Sequence, residues 1–423
     1  MPDVDIVVVG GGPAGATAAH DLARAGWRVV LLDRAGRIKP CGGAIPPRLI
    51  RDFAVPDDWL CARVRSARVV APSGRTVTMP IDGGFVGMVD RDRFDEALRA
   101  RAAAAGAERR TGRFVALERI AEGVVVRYAA ARGEAERTIT ARYVIGADGA
   151  RSEVARQALP NRRTRHVFAY HEVLRSPEPE TAADFAPDSC DVVYRGALSP
   201  DFYAWVFPHG ATTSVGVGSA RKGWSLRAPV ARLRRDAGLD GCETLRCEGA
   251  PIPLKPLKRW DDGHAVLLVG DAAGVVAPAS GEGIYYAMAS ARMGAEAVGQ
   301  ALATGDARAR RAAPRLHGGA RPCLSCARPA PGGLVPERLA ARAVRRPVSR
   351  SRCPAADVAG LYEQGDGARP AWRPCPAAGA QHRPAGRRPP GVAARPRQRA
   401  RAGPYLITHA HSRICPCTTT RSR

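Results

Sequence analysis

What this sequence lacks narrows it before any motif is read. No apolar run reaches the ~18 residues of a membrane span, so no transmembrane helix is expected. The first apolar strand begins at Val4, which leaves no room for a signal peptide and points to a cytoplasmic chain with reduced thiols. Lysine and phenylalanine are absent from residues 307–423, which hold 24 Arg, 16 Pro and 6 Cys against 4 acidic residues. That stretch supplies +20 of the formal charge of +25, and the other 306 residues, with 41 basic and 36 acidic groups, are only mildly basic. The basic excess therefore lies in a proline-rich segment without a folded RNA-binding motif, and no nucleic-acid partner is expected. From about Asp306 onward so few large apolar residues cannot offset the entropy of ordering, so residues 306–423 are expected to be a disordered Arg/Pro-rich tail. Cys323-Leu324-Ser325-Cys326 and Cys415-Pro416-Cys417 look metal-like but have no partner pair at zinc-site spacing.

What is present is organised around Val4 to Asp33. Val4 to Val9 is a β-branched run suited to a buried parallel strand, followed at once by Gly10-Gly11-Gly12-Pro13-Ala14-Gly15. Gly10 permits the tight turn, Gly12 lets a pyrophosphate approach the backbone, and Gly15 lets helix and strand pack closely. A helix from Ala14 to Ala25 is expected to stop at Gly26, and a second strand, Trp27 to Leu32, ends at Asp33. A carboxylate there can accept from ribose hydroxyls, and the helix N-terminus favours an anion by ~0.3–1 kcal/mol. No second glycine motif lies between a strand and a helix, which argues for one tightly held dinucleotide.

Downstream, residues 34–47 are too rich in Gly and Pro for regular structure, and the loop leaves the C-terminal end of a strand, where open α/β sheets bind ligands. Cys41 is therefore a candidate site residue, with a small buried filler as the alternative. Val64 to Pro80 predicts a hairpin turning at Pro72-Ser73-Gly74, and a helix is expected from Asp90 to about Ala105, with Arg91 near enough to reach a phosphate. Two or three strands follow, including Gly123 to Tyr128 and Thr138 to Ile145, the last ending in Gly146-Ala147-Asp148-Gly149. Between His166 and Ala220 the pattern predicts an antiparallel sheet: Val167 to Leu174, Asp191 to Tyr194, Phe202 to Phe207 and Thr213 to Val217. A short helix at Ala228 to Ala237, a strand at Ala265 to Val269 before Gly270-Asp271, and a helix from Gly281-Glu282-Gly283 to about Leu302 complete the reading.

The expected fold is α/β: a Rossmann-like dinucleotide-binding domain (1–62, 84–160 and 250–305) carrying an inserted antiparallel-sheet substrate domain (63–83 and 161–249), with the tail at 306–423. Gly10-x-Gly12-x-x-Gly15, Gly146-Ala147-Asp148-Gly149 and Gly270-Asp271 together resemble the three FAD fingerprints of the p-hydroxybenzoate-hydroxylase-like flavoproteins. Pro200-Asp201-Phe202-Tyr203-Ala204-Trp205-Val206-Phe207-Pro208 resembles the P-x-x-Y-x-W-x-F-P signature of geranylgeranyl reductases, and residues 34–47 look like the bacteriochlorophyll-pathway branch of that family. The resemblance runs from about residue 4 to about 305. It implies an enzyme that uses FAD and NADPH to reduce three of the four double bonds of a geranylgeranyl group, as the free diphosphate or as a bacteriochlorophyll ester, giving phytyl.

By position, the resemblance puts Gly10, Gly12, Gly15 and Asp33 on the ADP part of FAD, with Arg91 near the pyrophosphate. Gly270 and Asp271 go to the ribityl–pyrophosphate region, Gly281 and Gly283 face the flavin ring, and the Asp148 turn closes over the dinucleotide. Cys41, Tyr203 and Trp205, with Phe207, line the prenyl pocket. Alternate residues of one strand share a face, so Tyr203, Trp205 and Phe207 form one aromatic wall, which suits an isoprenoid because each buried CH₂ gains ~0.8 kcal/mol. An isolated trisubstituted alkene is a poor hydride acceptor, so a proton must be delivered; Cys41, Tyr203 and water remain open as its source. A peripheral contact with the photosynthetic membrane is a further expectation. An FAD-dependent monooxygenase, sharing the same fingerprints, is the alternative. The family carries a partly helical segment where this chain has its tail, so a shifted reading frame is expected, with a functional Arg-rich extension as the alternative. A native mass matching all 423 residues refutes the shift.

Overall fold

A computed structural model of the chain describes residues 1–34, 39–81, 84–131, 133–160, 164–178, 185–278 and 280–305. The expected tail, its cysteine pairs and the shifted frame lie outside the described residues, as do residues 35–38 of the loop after Asp33.

β1 (Val4–Val9) is buried at all but one position, as its apolar run requires, and leads through the glycine turn into α1 (Pro13–Arg24). Pro13 stands at the first helical turn, where its missing N–H costs nothing, and Gly26 at φ +86 takes the left-handed position that ends the helix. β2 (Val29–Asp33) returns parallel to β1. β3 (Ala44–Ile45) and α2 (Pro47–Asp52) follow, then β4 (Ala62–Val64), the hairpin β5 (Ser66–Val70) and β6 (Thr76–Pro80), and β7 (Val86–Met88). The hairpin turns at Gly74, φ +82, as expected.

α3 (Arg91–Ala104) buries Phe94 and Leu98 on one face. Four strands come next rather than two or three: β8 (Glu108–Thr111), β9 (Arg113–Ile120), β10 (Gly123–Ala129) and β11 (Glu136–Gly146). β8 reads Glu-Arg-Arg-Thr and pairs only along the edge of β2, so it has no apolar alternation to betray it. α4 (Glu153–Ala158) is a short helix capped by Ser152. β12 (His166–Arg175), β13 (Ser189–Val193), β14 (Ala204–Pro208) and β15 (Thr212–Ser219) carry the expected strands, with β14 starting two residues later than predicted. α5 (Arg227–Asp236), β16 (Thr244–Pro253), β17 (Val266–Leu268) and α6 (Ile284–Thr304) complete the described chain.

The first sheet runs β8-β2-β1-β11-β10-β9, with β17 also on β11. Its β8-β2-β1-β11-β17 portion is parallel, and α1 packs against both it and α6, which itself meets β17 at Gly294. The C-terminal ends of β1, β2 and β11 thus meet at one edge, where Gly10, Asp33 and Gly146 lie. The second sheet runs β16-β12-β15-β14-β13-β5-β6. It is not wholly antiparallel as expected: β13 and β5 pair in parallel, and Arg68 of β5 reaches across that pair to the Asp191 carboxylate. β16 was not foreseen, because its mostly exposed or half-buried residues lack an apolar run. β3, β7 and β4 form a small third sheet.

Candidate functional site

A cavity of about 600 Å³ opens at the parallel-strand edge, between the Gly10–Ala14 turn, Asp33, Asp148 and Asp271. Its floor is set by contacts that only glycine permits. Gly10 has φ +102, and a side chain there would start 2.5 Å from the Ala147 carbonyl; one on Gly15 would start 1.7 Å from the Gly10 carbonyl. Gly12 differs: nothing lies within 4 Å of where its side chain would begin. The turn is held by its neighbours on two sides and is open on the third, towards the cavity, as close approach by a pyrophosphate requires.

Asp33 stands at the end of β2 on the cavity wall. Burial raises its pKa, partly offset by the Gly11 N–H and by Arg99, whose guanidinium lies 3.6 Å away. Asp148 is differently engaged. Its carboxylate accepts from the Ser152 hydroxyl at 2.5 Å and from the Glu153 and Val154 N–H groups at 2.7 and 3.1 Å, so it fastens the turn after β11 to the start of α4. Gly149, at φ +85, takes the same turn back over the cavity. Gly270 sits where a side chain would start 2.9 Å from the Ala14 side chain, and Asp271 accepts a 2.5 Å hydrogen bond from Lys39 Nζ. Arg91 opens α3, buried, with a bidentate bond to Asp95 at 2.8 Å. Burial alone would lower its pKa, but Asp95 and the Cys41 thiol, a second hydrogen-bond partner, hold it above the ordinary value. An open glycine turn at a helix N-terminus, a strand-end carboxylate and the cations Lys39, Arg91 and Arg99 in one cavity fit a dinucleotide with a pyrophosphate.

A second, narrower cavity of about 110 Å³ adjoins the first; Pro13, Lys39, Arg91, Asp271 and Ala287 line both. Its wall is the aromatic series Tyr203, Trp205 and Phe207, whose neighbouring ring centroids are 6.0 and 6.2 Å apart. Cys41, Gly42, Gly281 and Gly283 face them. The rings fit because β15 offers glycines: a side chain on Gly216 would start 2.2 Å from the Trp205 ring, and one on Gly218 would start 2.5 Å from Phe202. The Tyr203 hydroxyl donates to the Ser280 carbonyl at 2.5 Å, tying the aromatic wall to the loop before α6. Burial pushes this phenol well above its usual range. In the same loop Glu282 is buried; its carboxylate accepts from the Tyr285 N–H at 2.7 Å, yet burial raises its pKa to about 7.

Of the residues picked from the sequence all but Gly15 and Gly270 line these two cavities, although they come from strands, loops and helices far apart in the chain; Gly15 packs on the Gly10 carbonyl and Gly270 against Ala14. Others went unseen. Arg99 is one basic residue among many on α3, and nothing in its spacing marks it out. Gly216 and Gly218 carried a usable signal, two glycines spaced by two in a strand opposite an aromatic run. His171, Ser214 and Glu248 come from three strands, and only the strand register brings them together. Among the described residues no group of His, Cys, Asp and Glu could hold a metal ion, and no helix is long and apolar enough to cross a membrane.

Comparison with known proteins agrees with this geometry. A profile of an FAD binding domain matches residues 67–311, and one of FAD dependent oxidoreductases matches residues 5–44. The chain is 56% identical over 301 residues to a geranylgeranyl diphosphate reductase of Rhodobacter capsulatus, covering 71% of this chain and 76% of that one. It is 36% identical over 309 residues to a geranylgeranyl diphosphate reductase of Synechocystis, covering 69% and 74%. In fold it resembles a geranylgeranyl bacteriochlorophyll reductase-like protein from Thermoplasma acidophilum, with a TM-score of 0.70 and 23% identity over 80% of this chain and 87% of that one. With an FAD-shaped cradle, an aromatic cavity beside it and these relatives, the chain belongs to the geranylgeranyl reductase family of FAD-dependent oxidoreductases.

Proposed function

We propose that the chain is an NADPH-dependent enzyme that hydrogenates three double bonds of a geranylgeranyl group to phytyl, carried as the free diphosphate or as a bacteriochlorophyll ester, in bacteriochlorophyll biosynthesis. The observation that carries this reading is the narrow cavity walled by Tyr203, Trp205 and Phe207, which shares residues with the dinucleotide cradle. An apolar slot of that kind takes an isoprenoid chain, and burial of each CH₂ contributes ~0.8 kcal/mol. FAD bound in the cradle and reduced by NADPH would supply the hydride.

The chain's own residues bind, orient and protonate. Gly10, Gly12 and Gly15 form the turn for the pyrophosphate, Asp33 holds the ribose, and Gly270, Asp271 and Lys39 hold the chain that leads to the ring. Arg91 and Arg99 add positive charge to the same cavity, and Asp148 keeps the wall in place from behind. Gly281 and Gly283 leave the start of α6 bare against the narrow cavity, so the helix presents its positive end there. Tyr203 has committed its proton to Ser280 and holds it tightly, which makes it a clamp on the pocket. Cys41, half-buried and on the cavity wall, is the thiol left to protonate the alkene. A cytoplasmic enzyme touching the photosynthetic membrane peripherally suits a substrate with so long an apolar chain.

The test is anaerobic. Purified protein loaded with FAD is given NADPH and either geranylgeranyl diphosphate or geranylgeranylated bacteriochlorophyll, and the product is weighed. A product that gains hydrogen and no oxygen supports the proposal. Flavin that NADPH does not reduce, or an unaltered substrate, overturns it; with air admitted, a product carrying added oxygen identifies a monooxygenase instead.

A further inference from the structure

Behind the aromatic wall lies a third cavity of about 20 Å³, lined by Cys41, Arg91, His209, Ser214, Arg246 and Glu248, among others. That is room for one water molecule, and the lining offers more than the two to four polar partners such a molecule needs. Cys41 lines both this chamber and the prenyl cavity. Lys39 and Arg91 also line both, but Lys39 is paired with Asp271, and Arg91 holds its protons at any pH and is bound to Asp95. The thiol is the group between the two spaces that can give up a proton and take one back.

A file of polar groups leads to the chamber from the protein's edge. His171 on β12 faces Gly216 on β15 and Glu248 on β16 in the strand register, and the bare Gly216 leaves space for its ring. It is 3% exposed. Its Nδ1 lies 2.9 Å from Ser214 Oγ, and its Nε2 lies 3.2 Å from the Glu248 carboxylate. Ser214 Oγ also accepts from the Trp205 indole N–H at 3.1 Å; since an indole only donates, the serine's own proton is free for His171 or the chamber. Glu248 is held in turn by Arg246 at 2.8 Å, and Arg246 reaches Asp90 at 3.4 Å, where side chains are 36% and 40% exposed. The close approach of His171 Nε2, at ion-pair distance without an aligned hydrogen bond, is the main influence that lowers the Glu248 pKa, which keeps a carboxylate beside the ring. His209 faces the chamber differently: its Nδ1 donates to the Phe207 carbonyl at 2.9 Å, burial pushes its pKa down to about 4, and it is a neutral ring.

We propose that His171, supported by Glu248, returns a proton to Cys41 through Ser214 and one water molecule in this chamber. The proposal rests on the reading of Cys41 as the proton donor to a prenyl alkene. In that step the S–H bond breaks and a C–H bond forms at one alkene carbon, while the reduced cofactor supplies hydride, with its electron pair, to the other carbon. The thiolate left behind takes a proton from the water, the water takes one from the Ser214 hydroxyl, and Ser214 takes one from His171 Nδ1. Solvent reloads the imidazole at Nε2 on the Glu248 edge, and a turn of the ring brings that proton round to Ser214 before the next cycle, so each double bond consumes one hydride and one proton. His171 also lines the prenyl cavity, but its Nδ1 is bonded to Ser214 and its Nε2 stands at ion-pair distance from Glu248 without an aligned hydrogen bond; it is a positioning residue that acts through Cys41. The charged and titratable groups facing the relay are Glu248 and Arg246 from β16, His209 after β14, Asp90 and Arg91 at the start of α3, and Lys39 from the loop before β3.

The test uses the full chain, without added substrate first. The rate at which iodoacetamide alkylates Cys41, followed by peptide mass spectrometry against pH, reports the thiol directly. His171→Asn, which can still bond Ser214, is expected to move the midpoint for Cys41 to higher pH, and Glu248→Gln to move it the same way by less. In turnover His171→Asn is expected to slow alkene reduction about 10-fold or more relative to flavin reduction by NADPH, and to change the pH–rate profile. An unchanged Cys41 midpoint in both variants overturns the relay. If His171→Asn does not fold, Ser214→Ala replaces it, and an unaltered ratio of the two half-reactions in that variant also overturns it. A shifted midpoint in a protein that reduces no geranylgeranyl substrate leaves the relay standing and refutes the proposed function instead.

Discussion

Nothing lies within 4 Å of the point where a side chain on Gly12 would begin, whereas one on Gly216 would start 2.2 Å from the Trp205 ring. Gly12 lines the larger cavity and Gly216 seats a ring that lines the narrower one, so the cradle uses glycine to leave space and the aromatic cavity uses it to fill space. In the cradle the backbone itself is the binding surface, with N–H groups at the head of α1 turned to an anion. In the cavity the surface is side chain, and the glycines of β15 serve only to seat rings that come from β14 and the residues before it. A cradle of the first kind is specific for a phosphate chain whatever is attached to it, and a slot of the second kind is specific for shape and apolarity. One enzyme needs both: a cofactor held by its constant part and a substrate recognised along its length.

The sharpest way to break that contrast is a methyl group at two positions of the same turn. Gly15→Ala puts carbon 1.7 Å from the Gly10 carbonyl and cannot be accommodated without moving β1 against α1. A loss of more than about 3 kcal/mol is expected, together with loss of flavin. Gly12→Ala places the same methyl in open space at an ordinary backbone angle, φ −73. The cofactor-free protein should keep its stability within about 0.5 kcal/mol and still fail to retain FAD. Thermal unfolding and flavin absorbance measure both, and variants that behave alike would show that Gly12 does not face the cofactor.

At the aromatic wall the expectation is reversed. Trp205→Ala removes a ring that is 5% exposed and costs about 3 kcal/mol, with the Ser214 hydroxyl losing its indole donor. FAD binding and flavin reduction by NADPH should survive, while alkene reduction drops far more. Stopped-flow measurement of the two half-reactions checks this, and equal losses in both would mean that the substitution has disturbed the whole fold.

The same contrast explains what could be read from the chain alone. The turn from Gly10 to Gly15 is local: Gly10 and Gly15 answer steric demands made by one neighbouring strand end or within the turn itself, and Gly12 leaves open space, so the spacing is visible. The aromatic series was visible for a similar reason, since alternation along one strand fixes a common face; β14 begins only at Ala204, yet Tyr203 still joins that face. What stayed hidden depends on register between strands. Ser214, His171 and Glu248 sit side by side on three strands, and β16 was unseen because an edge strand with few buried residues needs no apolar pattern. The parallel pairing of β13 with β5 was hidden too: it joins segments more than a hundred residues apart, and nothing local in the sequence matches Arg68 with Asp191.

The smallest effect expected concerns Glu282, which stands at the junction of the two regions. It lies between the Ser280 carbonyl that receives Tyr203 and the head of α6, and its carboxylate accepts the Tyr285 N–H. Burial opposes the charged form more strongly than that bond and the attraction of Arg91 favour it, so the pKa rises from 4.5 to about 7. The folded chain therefore holds a proton that the unfolded chain has already released over that interval. Stability from this group is fully present below pH 4.5 and is lost as pH rises through about 7. The loss is on the order of 3 kcal/mol at most, from a shift of that size at ~1.4 kcal/mol per pH unit. Glu282→Gln keeps an acceptor for the Tyr285 N–H and has nothing to titrate. Urea unfolding of the cofactor-free protein at several pH values should show the decline between pH 4.5 and 7 in the parent chain and its flattening in the variant. Parallel curves would mean that water reaches Glu282, and that the seam between cradle and cavity is wetter than its burial indicates.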